Sequence, residues 1–148
     1  MLKGKPIWMW MYLSPLILPV LFIQYIYMVL LIIISFRALK IKMKREVMIR
    51  TITMAWILSF ISQFAGLMIL QIAHIFIRDM DLFHIYSNVV SISFHLSAIL
   101  FSGLVCYCLL RYLFQRVAIF EEASLKMAVF ISFMTSPWLF LVPIASQY

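Results

Sequence analysis

Apolar residues in this chain fall in long, nearly unbroken blocks, without the polar face of a soluble amphipathic helix or the strict alternation of a half-buried strand. The blocks run over 7–36, 52–77, 83–110 and 127–144, and short polar segments separate them. At 1.5 Å per residue, about 20 apolar residues cross a hydrocarbon layer of roughly 30 Å. In lipid every backbone N–H and C=O must be paired within the protein, which leaves helices or a closed barrel. Barrel strands alternate apolar and polar residues, and these blocks do not. The pattern predicts an all-α, polytopic integral membrane protein with four transmembrane helices over about 14–36, 52–77, 83–110 and 127–144, forming a single domain.

The first block is longer than one crossing needs. Trp8, Trp10 and Tyr12 are read as an interfacial aromatic belt, with the span starting near Ser14. Pro15 suits a first helical turn, and Pro19 is expected to bend the helix. Lys3 and Lys5 ahead of this block resemble the basic start of a secretory signal. The block is too long for one and ends in Arg37 and Lys40 instead of small residues, so it is expected to be retained.

Composition agrees with lipid as the solvent. Hydrophobic residues make up 66% and charged residues 11%, against roughly 45–50% and 25% in soluble domains. A water-soluble fold of this size has too little interior to hide that much apolar surface. The net charge of +7 does not indicate nucleic acid, because the cations sit between apolar blocks and no recognition element accompanies them.

Their placement predicts orientation. Arg37, Lys40, Lys42, Lys44, Arg45 and Arg50 share the first loop, opposed only by Glu46, and Arg111, Arg116 and Lys126 lie in the third. The other side holds Lys3, Lys5 and Arg78. The positive-inside rule then puts both long loops in the cytoplasm and both termini outside, N-out and C-out. A multi-pass protein of a bacterial-type cell membrane is the expected location. The six cations of the first loop are also candidates for contact with anionic lipid or a partner.

Polar residues inside the blocks recur at helical spacing. His84, Asn88, Ser91, His95, Ala98, Ser102 and Cys106 form a stripe along the third block, and Ser59, Ser62, Gln63, Gly66, Ala73 and His74 share a face of the second. Joined by the short segment 78–81, these spans are expected to be antiparallel neighbours whose polar faces meet. Small residues let helices approach, and hydroxyl, amide and imidazole groups bond between them, so plain packing explains the stripe. A crevice or solute pathway is the sharper alternative, since intramembrane polar groups are functional candidates. Gln24 and Gln71 are read as interhelical hydrogen-bonding groups. Ser132, Thr135 and Ser136 are expected to serve backbone groups freed by Pro137.

The remaining chemistry is sparse. Cys106 and Cys108 differ by about 200° on a helix and cannot readily join; they are read as small apolar residues. His74 and His84 flank a turn with Asp79 and Asp81, which raises a surface metal or proton site. His95 lies about 10 Å deeper than His74, awkward for two axial ligands of one haem. Neither metal nor cofactor is expected. No Asp or Glu lies within a block and no catalytic motif is present. The expected function is therefore non-enzymatic: a small accessory, regulatory or immunity-type subunit acting through helix–helix contacts. A small-solute transporter or channel along the seam is the alternative, and a haem- or quinone-associated protein the third. Expected partners are the bilayer and other membrane subunits or a second copy.

Overall fold

The computed structural model describes residues 17–77, 86, 88–117 and 119–138. Among the described residues every regular element is helical: α1 (Ile17–Ala38), α2 (Arg45–Phe76), α3 (Val89–Arg116) and α4 (Glu121–Thr135). Helices α1, α2 and α3 are long and apolar enough to cross a membrane. With 15 residues, α4 is shorter.

Local sequence sets the helix ends. Pro19 falls in the first turn of α1, where a missing N–H costs little. The far end of α1 closes in a Schellman motif, with Ile41 N–H donating to Phe36 O at 2.9 Å and Lys40 N–H to Arg37 O at 3.2 Å. Lys40 occupies the left-handed position of that motif, φ 54°, which glycine usually fills. Helix α2 starts at Arg45, seven residues before the expected span, so the basic loop is partly helical. Lysine, arginine and glutamate are good helix formers, and Glu46 suits the first turn. Asn88 caps α3, its side chain accepting from Ser91 N–H at 2.7 Å. Helix α3 continues past the expected end at 110 to Arg116. Helix α4 stops at Thr135, well short of the expected 144. Pro137 disfavours a helical Ser136, which adopts φ −55°, ψ 145°.

The helices pack in a ring, α1 on α2, α2 on α3, α3 on α4, and α4 back on α1. One apolar cluster joins the end of α1, the start of α2, the end of α3 and the start of α4, through Ile32, Phe36, Ile52, Leu110, Phe114, Met127 and Ile131. The loops carrying Arg37–Arg50 and Arg111–Lys126 therefore lie at one end of the bundle. A smaller cluster of Leu67, Leu70, Ala73, Ala98 and Ile99 joins α2 and α3 toward the other end. The outside is apolar: Phe22 and Leu30 on α1, Ile61 and Ile72 on α2, Leu100 and Leu104 on α3, and Phe133 on α4 are all exposed. Such an exterior is unfavourable in water and suits lipid. Helix α1 is the least buried of the three long helices. Tyr25 holds it to α2, its ring edge-on to Trp56 at 5.6 Å.

Candidate functional site

Between the two apolar clusters lies a buried polar layer built from α2, α3 and the end of α4. Ser59, Ser62, Gln63, Gly66 and Ser102 are buried in it, while Ser91 and His95, also buried, lie farther along α3, past Ala98 and Ile99 of the second cluster. Ser102 Oγ donates to Ser62 O at 2.9 Å across the α2–α3 contact. A second link reaches α4. Thr135 commits its hydroxyl hydrogen to Ile131 O at 2.8 Å, so Cys106 Sγ, 3.6 Å from Thr135 Oγ1, must be the donor of that pair. Ser59 Oγ, 3.5 Å from the same sulfur, then donates to it. One directed chain thus runs Ser59 to Cys106 to Thr135 to the α4 backbone.

The end of α4 organises the layer. A helix leaves its last four carbonyls without intrahelical partners, and Pro137 prevents the next turn from supplying them. Here all four meet side-chain donors. Ser136 Oγ bonds Ser132 O at 2.8 Å, and Trp138 Nε1 bonds Phe133 O at 2.9 Å. Tyr27 Oη, on α1, bonds Met134 O at 3.3 Å, and Gln63 Nε2, on α2, bonds Thr135 O at 3.0 Å. Two of the four donors come from other helices, so the break in α4 draws α1 and α2 onto it. On the α3 side the approach is close: a β-carbon on Gly103 would stand 2.8 Å from Ser136 Oγ.

This arrangement resembles the broken helices of transporters only in outline. There, unwound carbonyls converge on an ion. Here the four carbonyls face an amide, two hydroxyls and an indole, all neutral donors, and among the described residues no carboxylate is buried. Its chemistry is that of a hydrogen-bonded joint.

Other candidates fall elsewhere. His95 is fully buried on α3, with Nδ1 2.7 Å from Ser91 O; a carbonyl cannot donate, so Nδ1 carries the proton of that contact. Asn88 is not a member of the stripe but the cap below it, because the backbone there is extended (φ −154°, ψ 164°). His74 is exposed and leaves the buried face. Buried positions 52, 55, 59, 62, 66, 70 and 73 on α2 recur about every 3.5 residues, as in a coiled coil, which carries position 74 to the flank. His84 lies outside the described residues. Cys106 is buried and Cys108 exposed on the opposite side of α3.

The cations at the basic end divide into two groups. Arg111 reaches Glu121 at 3.7 Å, Lys126 bonds Glu122 at 2.6 Å, and Arg116 lies over the Tyr112 ring at 4.7 Å. Arg37, Lys40, Lys42, Lys44, Arg45 and Arg50 are exposed, and among the described residues none pairs with a carboxylate.

Sequence reasoning missed Tyr27 and Trp138 as caps, Gly103 as the contact against Ser136, and Cys106 as a connector. Ser136-Pro137 was the available signal, since it marks where carbonyls would need other donors. Comparison with protein-family models, with curated proteins and with solved structures returns no match.

Proposed function

We propose that this chain is a polytopic integral membrane protein that works as a non-enzymatic accessory or regulatory subunit through helix–helix contacts. The observation that carries this reading is the joint at the end of α4, where interior polar groups are spent on holding helices together. Apolar side chains on the outer faces of all four helices suit burial in lipid or against other spans. On this reading α4 enters from the basic end as a fourth crossing that breaks at Pro137. The cation-rich end faces the cytoplasm, giving N-out and C-out, in a cell membrane of bacterial type.

Cys106 supplies the test. It lies in the seam and is 2% exposed. A joint excludes water, whereas a solute pathway would admit it. In a Cys108→Ala background reconstituted in vesicles, a charged, water-soluble thiosulfonate should leave Cys106 unmodified until the protein is unfolded. Rapid modification in the folded protein would replace this reading with a transporter or channel. Orientation is checked separately with single cysteines at Lys42 and Tyr148. The first should be reached from the cytoplasmic side and the second from outside.

A further inference from the structure

We infer that the groove between the end of α1 and the start of α2 holds one anionic phospholipid. It encloses about 660 Å³, within the range of pockets that take small organic ligands. Phe36, Ile41 and Met48 give it an apolar floor, and Arg37, Lys40 and Lys42 stand at its rim. That division matches an amphiphile, with hydrocarbon on the floor and a phosphate among the cations. A free phosphate would leave the floor unused.

Two further observations favour a negatively charged occupant. The rim cations are uncompensated: Arg111 and Lys126 at the same end have Glu121 and Glu122, whereas among the described residues Arg37, Lys40 and Lys42 have no carboxylate partner. Lys40 also stands at φ 54°, where a β-carbon is strained and glycine would not be. The Schellman turn thus carries a cationic side chain between Arg37 and Lys42 at the one position where local geometry asks for none. Cations at the boundary of an apolar span are the arrangement that attracts anionic lipid.

This inference rests on the membrane reading, and the experiment separates the two. The full chain is first floated with phosphatidylcholine vesicles. In detergent it is then titrated with phosphatidylglycerol or phosphatidylcholine, and bound lipid is counted by native mass spectrometry. One phosphatidylglycerol should be retained at least ten-fold more tightly than phosphatidylcholine. Lys40→Gly together with Lys42→Gln should weaken phosphatidylglycerol about thirty-fold, the effect of two charges at a lipid surface, and leave phosphatidylcholine unchanged. Lys40→Gly alone should weaken it without lowering the unfolding temperature, because the strained residue is removed with the charge. Equal retention of the two lipids, or no change in the variants, overturns the site. Displacement of the lipid by millimolar inorganic phosphate shows an anion site and overturns the lipid assignment. Failure to float overturns the membrane reading and this inference with it.

Discussion

The side-chain amide of Gln63 on α2 donates to the main-chain carbonyl of Thr135 on α4 across 3.0 Å, joining residues 72 positions apart at the point where α4 ends. That carbonyl has no helical successor to bond, since Pro137 diverts the chain. Gln63→Met keeps the length and removes the donor, leaving a buried acceptor to be satisfied. The expected loss is about 1–3 kcal/mol, read from reversible unfolding in mixed micelles by circular dichroism. Gln63→Glu should be worse, because a carboxylate cannot donate and faces a carbonyl. A Gln63→Met variant as stable as the parent would show that the break does not depend on this cap.

Gly103 brings α3 against Ser136 at the break. A β-carbon at 103 would meet Ser136 Oγ at 2.8 Å, and that hydroxyl is already held by Ser132 O. Gly103→Ala should therefore cost about 1–3 kcal/mol through overpacking. Ser136→Ala should cost a comparable amount by stripping a cap from Ser132 O. Combined, the two should be less damaging than their sum by at least about 0.5 kcal/mol, because the second removes the atom that the first collides with. Strict additivity in the double-mutant cycle would mean that α3 and α4 part at this point.

How far the sequence foretold this arrangement depends on the range of each contact. The long apolar blocks marked α1, α2 and α3, and the spacing of Ser59, Ser62, Ser91, His95 and Ser102 marked one face on each of α2 and α3. Those signals are local and periodic. Asn88 stands at the cap and His74 on an exposed flank for local reasons as well: an asparagine one step before a helix prefers the cap, and a 3.5-residue repeat moves a face round the helix. Of the caps on α4, Ser136 was legible from the proline beside it, and those supplied from a distance were not. Tyr27 lies 107 residues from Met134, whose carbonyl it serves. Within an apolar block its ring reads as lipid-facing, and only the fold brings its hydroxyl to the break. The groove behind Lys40 was half legible. The cations were evident, but the apolar floor beneath them needed the turn that folds Ile41 onto Phe36.

The first turn of α4 carries the described pH-sensitive pair. Lys126, hydrogen-bonded to Glu122 at 2.6 Å and opposite in charge, holds the Glu122 carboxyl below its usual value. A carboxyl depressed in the folded state stabilises above its unfolded pKa and loses that contribution as pH falls through the folded value. Amide exchange in the first turn of α4, corrected for intrinsic rates, should therefore quicken on acidification through the carboxylate range. The effect is small, because the pair is solvent-exposed. Glu122→Gln should remove this pH dependence, and its persistence in that variant would assign it to another group.

His95 decides between joint and pathway at the level of protons. Its side chain is fully buried, and Nδ1–H donates to Ser91 O one turn back at 2.7 Å. That carbonyl belongs to the helix ladder, so the imidazole bond supplements a pairing the backbone already makes. Glutamine reaches a comparable distance and also carries N–H donors. If His95 serves only packing, His95→Gln should change stability by no more than about 1 kcal/mol, the scale of one polar side-chain contact. Proton movement gives the independent readout, since imidazole takes up and releases protons near neutral pH and an amide does not. Vesicles holding a pH-sensitive dye should then dissipate an imposed pH gradient at the same rate with wild-type or His95→Gln protein. A wild-type flux that disappears in a folded His95→Gln variant would show that protons reach the seam. It would also mean that the hydrogen-bonded layer from Ser59 to Thr135 opens in a way this packed arrangement does not allow.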